Sequence, residues 1–192
     1  MARDLAGRKA LVTGSARRIG REIVLALAEQ GVDVVVHYRA SEAEARQLAD
    51  EVRKLGLRSG IVQADLRDQS ALEGLIQQAA GRLGGLDILV NNASEFPEST
   101  FEALTLDDLV EAAKVNAWAP FELGRRFAES AGRGAIVNVL DTRITDFDWR
   151  HVGYSASKQL LAFFTRMMAL KLAPAMELAP LNLAANSIES IS

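Results

Sequence analysis

Apolar positions along the chain follow two alternating rhythms. Short runs rich in β-branched residues give way to longer segments in which apolar residues recur at helical spacing. Lys9–Thr13 reads as a strand, and Arg17–Gly31 as a helix with apolar residues at 19, 23, 24, 27 and 28. Val32–Tyr38 is a nearly unbroken apolar run, the pattern of a strand covered on both faces. Ser41 and Glu44 have the spacing of a capping box at the start of the next helix, and Gly56 is its stop. A third strand over Ser59–Ala64, a third helix over Gln69–Leu83 and a fourth strand over Leu86–Val90 follow. Thr105–Ala131 then holds a long helix, Ala135–Leu140 a fifth strand and Gly153–Leu172 another long helix. This alternation predicts right-handed crossovers and a doubly wound parallel sheet with helices on both faces.

Composition narrows the picture without changing it. With 49% apolar and 24% charged residues in 192, the chain is expected to be globular, in one domain. A net charge of −3 offers no basic field to nucleic acid or to a membrane surface. Cysteine is absent, so disulfide and thiolate chemistry are excluded and a reducing, cytoplasmic location is expected. The two histidines, His37 and His151, lack metal-ligand spacing, and no metal site is expected. The N-terminus has no signal-peptide core, and no apolar run is long enough to span a bilayer.

The first strand runs directly into Thr13-Gly14-Ser15-Ala16-Arg17-Arg18-Ile19-Gly20 and the first helix. Gly14 permits a tight turn, and Gly20 permits close helix–strand packing. The helix N-terminus then offers N–H groups and a positive dipole end to a pyrophosphate. A glycine-containing turn of purely structural role remains the alternative. This Thr-Gly-x-x-x-Arg-Ile-Gly motif resembles the short-chain dehydrogenases/reductases, with Arg18 where most members have glycine. In that feature it is similar to the pteridine reductase branch, whose arginine reaches toward cofactor phosphate and substrate. The resemblance implies a Rossmann-type α/β fold and a dinucleotide cofactor bound through Gly14, Arg18, Ile19 and Gly20.

Nineteen residues beyond Gly20 stands Arg39, within His37-Tyr38-Arg39-Ala40-Ser41, and no acid lies between Val34 and Ala40. An acid there would hold the ribose 2′-hydroxyl of NAD, whereas an arginine with a hydroxyl suits a 2′-phosphate. NADPH is therefore the expected cofactor, with His37, Arg39 and Ser41 at its ribose end. A solvated Arg39 and an ordinary N-cap Ser41 remain the plain alternative. Asp65 and Leu66, after the third strand, match the family's adenine-contacting position.

Tyr154 and Lys158 are four residues apart and share one helix face. A free tyrosine has a pKa near ~10, and an ammonium close by favours its phenolate, so Tyr154 fits a general acid. Tyr154-Ser155-Ala156-Ser157-Lys158 matches the family frame in full. Thirteen residues before Tyr154 stands Asp141, where most members carry serine and the pteridine reductases carry aspartate. A carboxyl group there can relay a proton to a ring nitrogen; an exposed strand-end acid is the alternative. Asn91-Asn92-Ala93-Ser94-Glu95-Phe96 matches the family's cofactor-side loop, placing Asn92, Ala93 and Ser94 beside the cofactor. By the same resemblance Phe96 stacks on a flat heteroaromatic substrate, which Arg18, Asp141 and Tyr154 also contact. A core anchor is the other reading of Phe96. Asn116 matches the helix asparagine that positions the lysine through water, with a helix kink or a polar surface residue as its alternative.

The resemblance covers about residues 8–174, an NADP-binding domain written as 1–174. Beyond it, 175–192 reads as an atypical segment in which only Asn186-Ser187-Ile188 is similar to the family's sixth strand. A missing sixth strand, a bare sheet edge and an open substrate pocket are expected from this. Two functions follow: an NADPH-dependent reductase of a pterin-like C=N or C=O substrate, or a catalytically impaired dinucleotide-binding protein. The apolar faces of the 105–131 and 153–172 helices, paired across a two-fold axis in the family, imply a homodimer.

Overall fold

Six parallel strands form one sheet in the computed structural model, which describes residues 5–141, 148–173 and 175–183. The strands are β1 (Lys9–Val12), β2 (Asp33–Tyr38), β3 (Ser59–Gln63), β4 (Ile88–Asn91), β5 (Gly134–Asp141) and β6 (Met176–Leu183). Their order across the sheet is β3-β2-β1-β4-β5-β6. The helices are α1 (Arg18–Glu29), α2 (Glu42–Lys54), α3 (Gln69–Leu83), α4 (Leu106–Ala113), α5 (Ala119–Ala131) and α6 (Val152–Leu172).

Alternate residues of each strand serve opposite faces. Val34 and Val36 of β2 join Ala10 and Val12 of β1 in a core with Val24 of α1 and Leu48 and Val52 of α2. Val35, Leu11 and Leu89 face the other way, onto Leu72 and Leu75 of α3 and Leu123 and Phe127 of α5. All six residues of β2 are buried, as its apolar run requires. The chain winds outward from β1 to β3 and then crosses back to β4. That reversal opens a crevice at the C-terminal ends of β1 and β4.

Three expectations need correction. The single helix over Thr105–Ala131 is broken by a π-helical turn over Lys114–Trp118. Pro120 explains the break: it has no N–H to give to the Asn116 carbonyl four residues back, and its ring would clash there. The Ala119 N–H instead reaches back to the Lys114 carbonyl. The Ser41–Glu44 capping box does not form, because the Ser41 side chain makes no cap bond and Glu44 pairs with Arg17 of the glycine loop. A capping box is made instead by Thr105 and Asp108 at the start of α4.

The sixth strand is present. Met176–Leu183 pairs with β5 over its whole length, from Gly134 to Asp141, so β5 is not a sheet edge. Its sequence, MELAPLNL, has no β-branched residue and contains a proline, which hides it from a propensity reading. Pro180 is tolerated because an outer strand can leave one N–H side without a ladder. Asn186-Ser187-Ile188 lies outside the described residues.

Candidate active site

The glycine loop is clamped onto the segment after β4. The Thr13 hydroxyl accepts the N–H groups of Asn92 and Ala93, both at 3.0 Å. The Asn92 amide returns bonds to the carbonyls of Thr13 and Gly14 at 2.9 and 3.0 Å. Contact this close is what the glycines permit. Gly14 sits at φ 59°, and a Cβ there would lie 2.7 Å from the Ala93 Cα. A Cβ on Gly20 would lie 2.5 Å from the Gly14 carbonyl oxygen and 2.6 Å from the Asn92 amide.

His37 locks the loop from below. Its Nδ1 accepts the Gly14 N–H at 2.9 Å, which leaves Nε2 to donate to the Ala64 carbonyl at 3.2 Å. Burial lowers its pKa to about 4, so it is a neutral bracket between the loops after β1 and β3. Arg18 has a φ of 52°, and no other non-glycine among the described residues has a positive φ. Left-handed backbone of this kind costs about 1–3 kcal/mol and collects at functional sites. No side chain caps the first turn of α1, and no acid lies in it, so its N–H donors face the cleft with no built-in anion.

The cleft has a volume of about 1320 Å³. Of the expected ligand-facing residues, Gly14, Arg18, Ile19, Gly20, His37, Arg39, Asp65, Leu66, Asn92, Ala93, Ser94, Phe96, Asp141 and Tyr154 all line it. Ser41 does not line it, and Asn116 and Lys158 lie beneath its floor, fully buried. Just past β2, Arg39 donates to the Glu95 carboxylate at 2.5 Å.

The far end of the cleft is built by β5 and α6. Asp141, the last residue of β5, and Tyr154, in the first turn of α6, are each 8% exposed. The Tyr154 hydroxyl donates to the Asp141 carboxylate at 2.8 Å. One turn along α6, the Lys158 ammonium lies 5.7 Å from the centre of the Tyr154 ring and donates to the Val139 carbonyl at 3.0 Å. Burial lowers the Lys158 pKa to about 8, against the opposing pull of the Asp141 charge. Lys158 therefore keeps its proton at neutral pH and loses it just above.

Asn116, carried by the π turn, does not touch Lys158 directly. Its amide oxygen accepts the Ser94 hydroxyl at 3.0 Å and the Glu95 N–H at 2.8 Å. Its amide nitrogen donates to the Glu95 carbonyl at 2.9 Å and to the Ser157 hydroxyl at 3.0 Å. Asn116 thus ties the Ser94–Phe96 loop to α6. Phe96 is 52% exposed and is no core anchor. Its ring meets Tyr154 edge-on at 4.5 Å and stacks on His151 at 3.8 Å. Ser99 holds the two segments together, through its carbonyl to the Val152 N–H and its hydroxyl to the Gly153 N–H, both at 3.0 Å.

The sequence reading passed over Thr13, Glu95, Arg67, Ser157 and His151. Thr13 and Ser157 stand inside the quoted motifs, and a buried hydroxyl there was a readable signal. Glu95 also stands inside a quoted motif, but its partners Arg39, Arg67 and Asn116 lie 21 to 56 residues away and no local pattern points to them; Arg67 and His151, though beside Asp65 and Asp148, match no motif. Among the described residues no group of three His, Asp or Glu side chains could hold a metal ion, and no helix is long and apolar enough to cross a membrane.

A parallel sheet in this order, with a glycine-rich first crossover and a buried Tyr-x-x-x-Lys pair facing the same cleft, defines a dinucleotide-binding oxidoreductase fold. The short chain dehydrogenase family model matches residues 8–186, and the chain belongs to that family. The match runs past Pro174, through the β6 strand that the sequence reading left out. A hydroxynaphthalene reductase-like protein, Arp2, of Metarhizium majus is 32% identical over 171 residues, which are 88% of this chain and 64% of that protein. The chain thus spans just under two thirds of that relative's length. The structure of FolM alternative dihydrofolate reductase 1 from Brucella suis, in complex with NADP, superposes with a TM-score of 0.87 at 34% identity. It covers 92% of this chain and 72% of that one. A short chain dehydrogenase from Burkholderia cenocepacia, also in complex with NADP, gives 0.86 at 36% identity, with 91% and 72% covered.

Proposed function

We propose that this chain is an NADPH-dependent reductase acting on a flat, pterin-like C=N or C=O compound. The observation that carries this reading is the buried Asp141–Tyr154 hydrogen bond set beside the exposed ring of Phe96. NADP in two similar structures, one of them a FolM alternative dihydrofolate reductase, supports it.

The cleft fits the cofactor. The uncapped first turn of α1 and the Arg18 guanidinium suit a pyrophosphate, and Arg39 suits a 2′-phosphate where an acid would repel one. Nicotinamide, when bound, supplies the hydride. Tyr154 delivers the proton to the substrate, and the Lys158 ammonium stabilises the phenolate left behind. In the free protein the Tyr154 hydrogen is committed to Asp141. Proton delivery therefore needs either that bond to turn toward substrate or Asp141 to carry the proton itself. The second route suits a ring nitrogen. Phe96 offers a face for stacking, and Asn116 holds that loop to the helix bearing Tyr154.

Following NADPH oxidation with dihydrobiopterin, dihydrofolate and a quinone panel tests the substrate class. Turnover of the pterin-like compounds is expected; turnover of the quinones alone would remove the pterin from the proposal. Calorimetry should show tighter binding of NADPH than of NADH, with Arg39→Asp shifting the preference toward NADH. The same reading includes a dimer through the 105–131 segment and α6, where Leu106 of α4, Trp118 of the π turn, and Phe163, Met167 and Leu170 of α6 are exposed. Light scattering behind a sizing column checks it, and a monomer would overturn it.

A further inference from the structure

Glu95 stands between two residues with clear places in the cleft, Ser94 and Phe96, and its backbone is fixed on both sides. Its N–H donates to Asn116 at 2.8 Å and its carbonyl accepts from Asn116 at 2.9 Å. Held this way, its side chain crosses the cleft mouth toward the adenosine end. There one carboxylate oxygen accepts from Arg39 at 2.5 Å and from Arg67 at 2.6 Å, and the other accepts from Arg67 at 2.5 Å. Arg67 also faces Asp65 at 3.6 Å and Glu111 at 3.8 Å. Glu111 also pairs with Lys114 at 2.6 Å, so three cations share three carboxylates, with Glu95 the one that joins Arg39 to Arg67. It is also the least exposed of the three, at 26% of its side chain against 44% and 51%.

We propose that Glu95 is a specificity-determining residue for the cofactor's 2′-phosphate, because its carboxylate occupies Arg39 and must cede that arginine when the phosphate binds. This rests on Arg39 being the phosphate-binding residue proposed above. A carboxylate and a phosphate dianion on one guanidinium repel each other, so the two compete for the Arg39 donors. Arg67 makes the exchange feasible. It already bonds both Glu95 oxygens, and it retains the carboxylate when Arg39 turns away. NADH lacks the 2′-phosphate and leaves the Arg39–Glu95 pair alone. Glu95 thus acts against NADPH and not against NADH, narrowing a preference that Arg39 by itself would make larger.

Calorimetric titration of the full chain with NADPH and with NADH, in wild type and Glu95→Gln, tests this. Glu95→Gln is expected to tighten NADPH by about two- to fivefold, within the range of a partly exposed ion pair, and to leave NADH unchanged. The gain should shrink as salt is raised. Arg67→Gln should weaken NADPH in the wild-type background and have little effect in the Glu95→Gln background. Weaker NADPH binding in Glu95→Gln, or an equal shift for both cofactors, overturns the proposal. An equal loss from Arg67→Gln in both backgrounds overturns the exchange. Arg39→Asp separates this from the underlying reading. If it abolishes the NADPH preference while Glu95→Gln changes nothing, the Glu95 proposal fails alone. If Arg39→Asp leaves the preference intact, the assignment of Arg39 fails first.

Discussion

At the end of the cleft proposed to hold the cofactor phosphates, Gly14 and Gly20 bring the loop so close to the segment after β4 that neither position has room for a Cβ. At the end proposed to react, Asp141, Tyr154 and Lys158 bring buried side chains together, and burial lowers the pKa of Lys158. The first region is built by shape and the second by charge. A shape-built region fails when atoms are added, through lost binding. A charge-built region fails when atoms or protons are removed, through lost turnover. The two should therefore separate in kinetics.

The sharpest separation is expected at Tyr154. Tyr154→Phe keeps the ring against Phe96 and removes the proton donor, so turnover should fall by about 10²–10⁴-fold, with NADPH affinity nearly unchanged. Stopped-flow turnover beside calorimetry reads both quantities; wild-type turnover would end the assignment. Gly20→Ala is the converse. Its Cβ would enter the space of the Gly14 carbonyl, the Asn92 amide and Ser15, so the loop must move. Overpacking of this kind costs about 1–3 kcal/mol, and if that falls on the binding-competent loop, NADPH affinity should drop by about five- to 150-fold. An unaltered affinity would mean the loop is looser than its contacts indicate.

Protons separate the regions again. Lys158 has a pKa lowered to about 8, so turnover should fall as pH rises through that value and the ammonium is lost. Lys158→Arg, which keeps its charge, should move the alkaline limb upward; a limb that stays in place belongs to another group. At the phosphate end the titrating group is His37, and it governs stability instead. Its folded pKa of about 4 lies below the ordinary histidine value of 6.5, so the unfolded chain binds the proton that the folded one refuses. The stability is fully present well above pH 6.5 and is lost as pH falls from there through about 4, with about 2 kcal/mol of the loss from this residue reached by pH 5. Urea melts of wild type and His37→Gln at pH 7 and 5 test this, and equal losses in both would refute it.

The smallest effect should come from Ser41. It makes no side-chain cap bond, so Ser41→Ala should change stability by less than about 0.5 kcal/mol. Thr105→Ala, which removes a formed capping box, should cost about 1 kcal/mol. Thermal melts of the two variants give the comparison directly.

Much of this protein was legible before any coordinates. Alternating periods of two and 3.6 define strands and helices from near neighbours alone, so five strands and the βαβ winding follow from local pattern. Gly14, Gly20, Tyr154 and Lys158 were equally readable, because a tight turn and a four-residue helical spacing are properties of short segments. Pro120 also contained the signal for the π turn, in its missing N–H. The strand β6 did not announce itself: MELAPLNL has weak strand propensity, and only the open ladder of β5 makes it a strand. Pairings between distant segments were likewise decided by the tertiary structure. His37 bridges 23 residues to Gly14 and 27 to Ala64, Arg39 meets Glu95 across 56, and Asn116 holds two segments that the chain keeps 21 and 41 residues away. Such contacts depend on strand order and register, which packing of the whole sheet selects, and no short stretch of sequence contains both partners.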